Sequence, residues 1–253
     1  MKSNSRAVLG LAMLAGFLAA AAPACAEDAG ASCDVPAYLL TTESVLPKVA
    51  DVIKNGRPLE ILVVGSRSST INTSDSSAYP GRLQAALKEK LPSIKVNVSV
   101  EIQAKKTAEE VAASLVKLVE GKKPTLVIWQ TGTVDAMRSI DPDDFRGAVD
   151  EGVAALQNAG ADVVLLNLQY SPRTETMISV PPYLDNMRVV AQQHDVPLFD
   201  RFAIMRHWSD TGDFDLFSAS HGLELAKGVH DCLGRALSKF VIDAAHLDPA
   251  QQN

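Results

Sequence analysis

Three serines crowd the end of a short apolar run in this chain, in Gly65-Ser66-Arg67-Ser68-Ser69-Thr70. A serine hydroxyl attacks an acyl carbon only when a base takes its proton. Ser66 and Ser68 are the candidate nucleophiles, with His221 as the base and Glu224 or Asp215 to orient it. Arg67 sits where it could bind an anion or pair with Asp135, and the ion pair is favoured. Gln130, Gln169 and Tyr170 fall where a cleft forms and would contact a polar ligand such as a sugar. Each has a plainer reading. Hydroxyls in a turn rich in Ser and Thr commonly satisfy backbone groups. His221 would then cap a helix or face water, and Glu224 would be a first-turn acid beside a helix dipole. His194, His230 and His246 fall on or beside helices without partners at metal-ligand spacing, so neither a metal site nor a cofactor is expected.

Elements must carry these residues to one place. Leu59–Val64, closed by Gly65, reads as a buried strand. Residues Gly81–Leu91 repeat Leu at helical spacing, and Ile94–Ile102 alternates as a half-buried strand does. Thr107-Ala108-Glu109-Glu110 opens a helix with a capping box and runs to about Glu120. Thr125–Trp129 is a third strand. Asp141-Pro142-Asp143-Asp144 starts a helix that Gly160 ends. Asp162–Leu168 and Val196–Phe199 are further strands, separated by a helix over Pro182–His194, and a last helix covers Leu223–Ala245. Such alternation predicts a three-layer α/β/α sandwich of about five parallel strands, flavodoxin-like in class. Ligands then sit beyond the carboxyl ends of the strands, which makes the segment after each strand the place to look.

Those segments carry a resemblance. Ile61–Thr70 followed by Tyr79-Pro80-Gly81-Arg82-Leu83, then Trp129–Asp135, then Asp231-Cys232-Leu233-Gly234, resembles the successive blocks of SGNH/GDSL hydrolases across essentially the whole mature chain. The resemblance implies a Ser nucleophile after the first strand, an oxyanion hole from a Gly amide and an Asn side chain, and an Asp-x-x-His pair near the C-terminus. Each block is altered here. Arg67 stands at the nucleophile position, which Ser68 recovers only if the turn gained a residue. Ile102 and Lys105 stand where glycines belong. Gly132-Thr133-Val134-Asp135 has Val134 in place of the oxyanion Asn, and His221-x-x-Glu224 replaces Asp-x-x-His. The expectation is a non-catalytic binding or interaction module, with an acyl-ester or carbohydrate-like ligand. The alternative is an ester hydrolase or deacylase with Ser68 as nucleophile and His221 as base. A third and weaker option is a different activity built on Arg67 and Asp135.

Compartment follows from the N-terminus. Lys2 and Arg6, the apolar run Val8–Ala22 and the small residues of Ala24-Cys25-Ala26 read as a signal peptide over residues 1–26, leaving 27–253 as a single periplasmic or secreted domain without a membrane span. Lipid attachment at Cys25 is the less favoured alternative. After cleavage only Cys33 and Cys232 remain, and two cysteines in an oxidising compartment favour a disulfide. With a net charge of −6 and no basic cluster, nucleic acid is excluded as a partner.

Overall fold

The computed structural model describes residues 33–71, 75–217 and 222–247, all of them within the compact unit Ala31–Asn253. The signal segment, Cys25 and His221 lie outside the described residues. In chain order the elements are α1 (Pro47–Lys54), β1 (Leu59–Gly65), α2 (Tyr79–Lys90), β2 (Val96–Ile102), α3 (Ala108–Lys122), β3 (Leu126–Gln130) and α4 (Thr133–Met137). There follow α5 (Pro142–Asn158), β4 (Asp162–Leu166), α6 (Pro172–Glu175), α7 (Pro181–Gln193), β5 (Leu198–Phe199), α8 (Arg201–Thr211) and α9 (Gly222–Ala244).

All five strands are parallel, in the order β2-β1-β3-β4-β5. Helices α2 and α9 pack together, and α3, α5 and α7 pack side by side, which gives the three layers. The near-continuous apolar runs of β3 and β4 are buried at every position, as central parallel strands covered on both faces must be. Edge strand β2 departs from its expected pattern. Val96 is buried, but Val100 and Ile102 each keep 37% of their surface exposed. The alternation marks a face that the helices cover only at the start of the strand.

Helix ends follow their sequence signals closely. Thr107 and Glu110 form the reciprocal capping box on α3, and Asp141 caps α5 through the Asp143 amide. Helix α1 has no cap of its own. Instead Asp162, from the start of β4, accepts the Lys48 and Val49 amides at 2.8 and 3.0 Å. The two cysteines are joined, with Cα atoms 5.1 Å apart and a separation of 199 positions along the chain. Among the described residues no helix is long and apolar enough to cross a membrane.

The segment after β5, to which the sequence pattern assigned no element, is largely helix α8. Asp200 caps it by accepting the Ala203 amide, and Gly212 ends it in the left-handed conformation (φ 81°). Phe202, Met205 and Trp208 supply its buried face.

Candidate functional site

The switch in strand order falls between β1 and β3, where the chain turns from one side of the sheet to the other. Gly65 and Gly132 meet there, as expected from both following apolar strands. Neither tolerates a side chain: a Cβ on Gly65 would lie 2.2 Å from Ser69 Oγ, and one on Gly132, at φ 93°, 2.5 Å from Leu168.

After Gly65 the chain makes one 3-10 turn, Arg67–Ser69. Ser66 caps this turn, its Oγ accepting the Ser68 amide at 3.4 Å. All three serine hydroxyls gather on one acceptor, Gln130 Oε1, at 3.0 Å from Ser66, 3.4 Å from Ser68 and 3.1 Å from Ser69. The Ser66 amide donates to the same oxygen at 2.8 Å. Gln130 is therefore the anchor of the turn. Its own Nε2 is buried without a partner among the described residues.

A second anchor comes from the other side. Arg201, the first residue of α8, is 1% exposed. It donates from Nη1 to Ser68 Oγ at 3.0 Å, and from Nη2 to the Ser68 carbonyl and to Gln169 Oε1, both at 3.1 Å. Its guanidinium also lies 5.7 Å from the centre of the Tyr79 ring. Tyr79 hydrogen-bonds Ser69 at 2.9 Å, and its amide donates to His230 Nδ1 at 2.9 Å. Burial, together with the Arg201 charge, pulls His230 down to about 3, so the ring is neutral with its proton on Nε2. Burial pushes the Tyr79 phenol up and keeps it neutral, and burial lowers Arg201 to about 10, still a cation at neutral pH.

These contacts decide the fate of the expected site residues. The expected Arg67–Asp135 ion pair does not form. Arg67 is exposed, with no carboxylate at ion-pair distance among the described residues. Asp135 turns inward to accept the Ala108 amide of α3 at 2.8 Å, and burial raises its pKa. Helix geometry explains this: the first amide of α3, which the Thr107–Glu110 box leaves unfilled, donates to the Asp135 carboxylate. Glu224 behaves as a first-turn acid, exposed and bonded to Lys227 at 2.7 Å. Asp215 accepts the Phe217 amide at 3.1 Å.

Gln130, Gln169 and Tyr170 were expected to line one cleft, but the serine turn divides it. On one side, Ser66, Gln103, Lys106, Gln130, Gly132 and Val134 surround a cavity of about 10 Å³. That is no more than one water requires. Ile102 and Lys105 do not line it; the neighbouring Gln103 and Lys106 do. Lys105 nonetheless holds a positive φ of 63°, a conformation that favours glycine. On the other side, Gln169, Tyr170, Ser171, Arg201 and His230 face Leu216, Leu225 and Val229 across a cavity of about 180 Å³. The sequence reading passed over Arg201 and weighed His230 only as a metal ligand. Asp200 before an amphipathic stretch could have revealed α8, but nothing local signals that the next residue is buried, since arginine rarely is.

What the arrangement offers is hydrogen-bond donation. A guanidinium bonded to Ser68 Oγ would steady negative charge there, yet among the described residues no imidazole or carboxylate bonds that hydroxyl to take its proton.

Comparison with known proteins agrees with this architecture. A search of curated sequences gave no match. Among solved structures, the chain is similar to TesA, at 20% identity with a TM-score of 0.55, covering 70% of this chain and 97% of that one. It is similar to AlinE4, an SGNH-hydrolase family esterase, at 18% identity and a TM-score of 0.54, covering 65% and 85%. A two-domain esterase (CEX) active on acetylated mannans aligns at 12% identity and a TM-score of 0.67, over 82% of this chain and 55% of that one. Identities this low establish a shared SGNH-hydrolase fold and nothing about turnover. The model of the non-GDSL lipase-like family matches residues 32–247, nearly all of the described chain, and the protein belongs to that family.

Proposed function

We propose that this protein is an exported binding module on a hydrolase scaffold, cleaved after Ala26, which retains a small-ligand cavity and does not hydrolyse esters. One observation carries the reading: the space at the strand-order switch, where the β1, β2 and β3 loops meet, is reduced to about 10 Å³. An acyl group with its attacking hydroxyl and oxyanion donors needs far more room than a single water. Two further features support it. Val134 cannot donate to an oxyanion, and in a comparable enzyme the loss of one such donor costs ~10²–10³ in rate. The Ser66, Ser68 and Ser69 hydroxyls already satisfy one another, Gln130, Tyr79 and Arg201. Export is supported by the N-terminal apolar run and by the Cys33–Cys232 bond.

The rival is the rearranged hydrolase, favoured by one contact, Arg201 to Ser68 Oγ at 3.0 Å, which would stabilise an alkoxide. An aryl acetate turnover assay on wild type, Ser66→Ala, Ser68→Ala and His221→Ala decides between them. We expect no turnover above the uncatalysed rate in any of the four. Turnover by wild type that disappears in both Ser68→Ala and His221→Ala would establish the hydrolase.

A further inference from the structure

Arg201 is a buried cation without a counterion among the described residues. Ionised groups taken out of water are normally paired, because an unpaired buried charge is costly. Among the described residues no carboxylate pairs with it. The adjacent acid, Asp200, is spent on Asn167, the Ala203 amide and Arg188. Asp231, on α9, pairs with Arg82 and Arg235. The short stretches 72–74 and 218–221 contain only Asn, Thr, Ser, Ala and His. Of the five guanidinium N–H groups, three are used, on two neutral oxygens of Ser68 and one of Gln169. Nε is buried and has no acceptor among the described residues.

The cavity beside it has the matching character. Arg201, Ser171 and His230 contribute donors, the last through Nε2–H because Nδ1 is taken by the Tyr79 amide. No acid is among the described residues that line it. Opposite lie Met205, Leu216, Leu225, Ala226 and Val229, which offer nothing to a hydrated ion and a good deal to a short hydrocarbon chain.

We propose that the cavity between α8 and α9 binds a small monocarboxylate with a short apolar chain, its carboxylate facing Arg201 and its chain against Leu216, Leu225 and Val229. The Gln169 carboxamide is a neutral stand-in for the missing anion, and the ligand displaces its oxygen or joins it. Phosphate fits less well, since a dianion needs several cationic or amide donors and half of this wall is apolar. The proposal gives a ligand class to the binding module argued above. It is tested by binding rather than turnover, so it can fail while the protein stays inactive toward esters.

The experiment titrates the full mature protein with sodium butyrate, butyramide, sodium phosphate and sodium chloride, by calorimetry and by thermal shift. Wild type should bind butyrate at least about tenfold more tightly than butyramide, the difference a charge-assisted hydrogen bond supplies. Gln169→Glu provides a built-in carboxylate; it should raise the melting temperature of the unliganded protein and weaken butyrate at least about tenfold. Leu225→Trp fills the cavity without touching the cation and should also abolish binding. No binding of butyrate, equal binding of butyramide, or chloride or phosphate binding as tightly would overturn the proposal. So would butyrate affinity left unchanged by both variants.

Discussion

The two sides of the serine turn are built from the same kinds of parts and end in opposite states. Between β1, β2 and β3, polar side chains close on one another until about 10 Å³ is left. Between β4, β5, α8 and α9, about 180 Å³ stays open beside a cation that the described residues leave unpaired. The difference lies in what each polar group can bond. Gln130 has one oxygen that three hydroxyls and an amide can share, so that side fills itself. Arg201 has only neutral acceptors to hand, so its charge is left for something else to answer. The proposed function follows this contrast, with the reaction site lost on the closed side and a ligand site kept on the open one.

The disulfide gives the strongest way to break this contrast, because Cys232 lies on α9, a wall of the open side. With the cysteines 199 positions apart, the chain-entropy account assigns the bond about 5 kcal/mol. Cys33→Ser with Cys232→Ser should therefore lower the melting temperature by roughly 10–20 °C, read by calorimetry. A drop under a few degrees would show that packing alone holds the segment around Cys33 against α9.

On the closed side the expected loss is smaller. Gln130→Ala strips the shared acceptor from the Ser66 amide and from three hydroxyls. Urea unfolding should show a loss of about 2–3 kcal/mol, since orphaned buried donors cost more than their bonds contributed. The 180 Å³ cavity does not include Gln130 in its wall, and butyrate affinity should not change.

Acid sharpens the contrast through its sign, at no more than about 1.4 kcal/mol per pH unit for each group. On the open side His230 is depressed from 6.5 to about 3. The unfolded ring takes a proton through 6.5 while the folded one refuses it, so its stability is present above 6.5 and lost as pH falls toward 3. On the closed side burial raises Asp135. Its contribution is present below the ordinary carboxylate range and lost as pH rises through the folded value. Asp162, raised for the same reason, adds to that trend in every variant alike. Relative to wild type, His230→Gln should lose less stability between pH 7 and 5. Asp135→Asn should be the more stable protein at pH 7, with the gap closing in acid. Denaturant unfolding at a series of pH values checks both, and slopes of equal sign would refute the opposition.

Much of the scaffold was legible before any coordinates. The apolar runs of β1, β3 and β4, the Thr107–Glu110 box and the Asp141-Pro142 start are local signals, and each became the element it implied. The altered blocks were legible too, and Glu224 took the first-turn place its position suggested. The pairing of Arg67 with Asp135 was not. Sequence put opposite charges near one end of the sheet, but it could not show that the start of α3 would reach Asp135 first. Cavity size was equally out of reach, because it depends on how loops from three strands close on one another.

Sequence by itself determined the alternation that makes a parallel sheet, the caps that start its helices, the cysteine pair and the departures from an esterase pattern. All of these rest on interactions within a few residues, or on residue types alone. Tertiary structure decided which side of the serine turn is filled and which is open. It also decided that Arg201, 133 residues beyond Ser68, would be buried against it. Burial of a charge is a property of everything packed around it, and the chain reveals that only once it has folded.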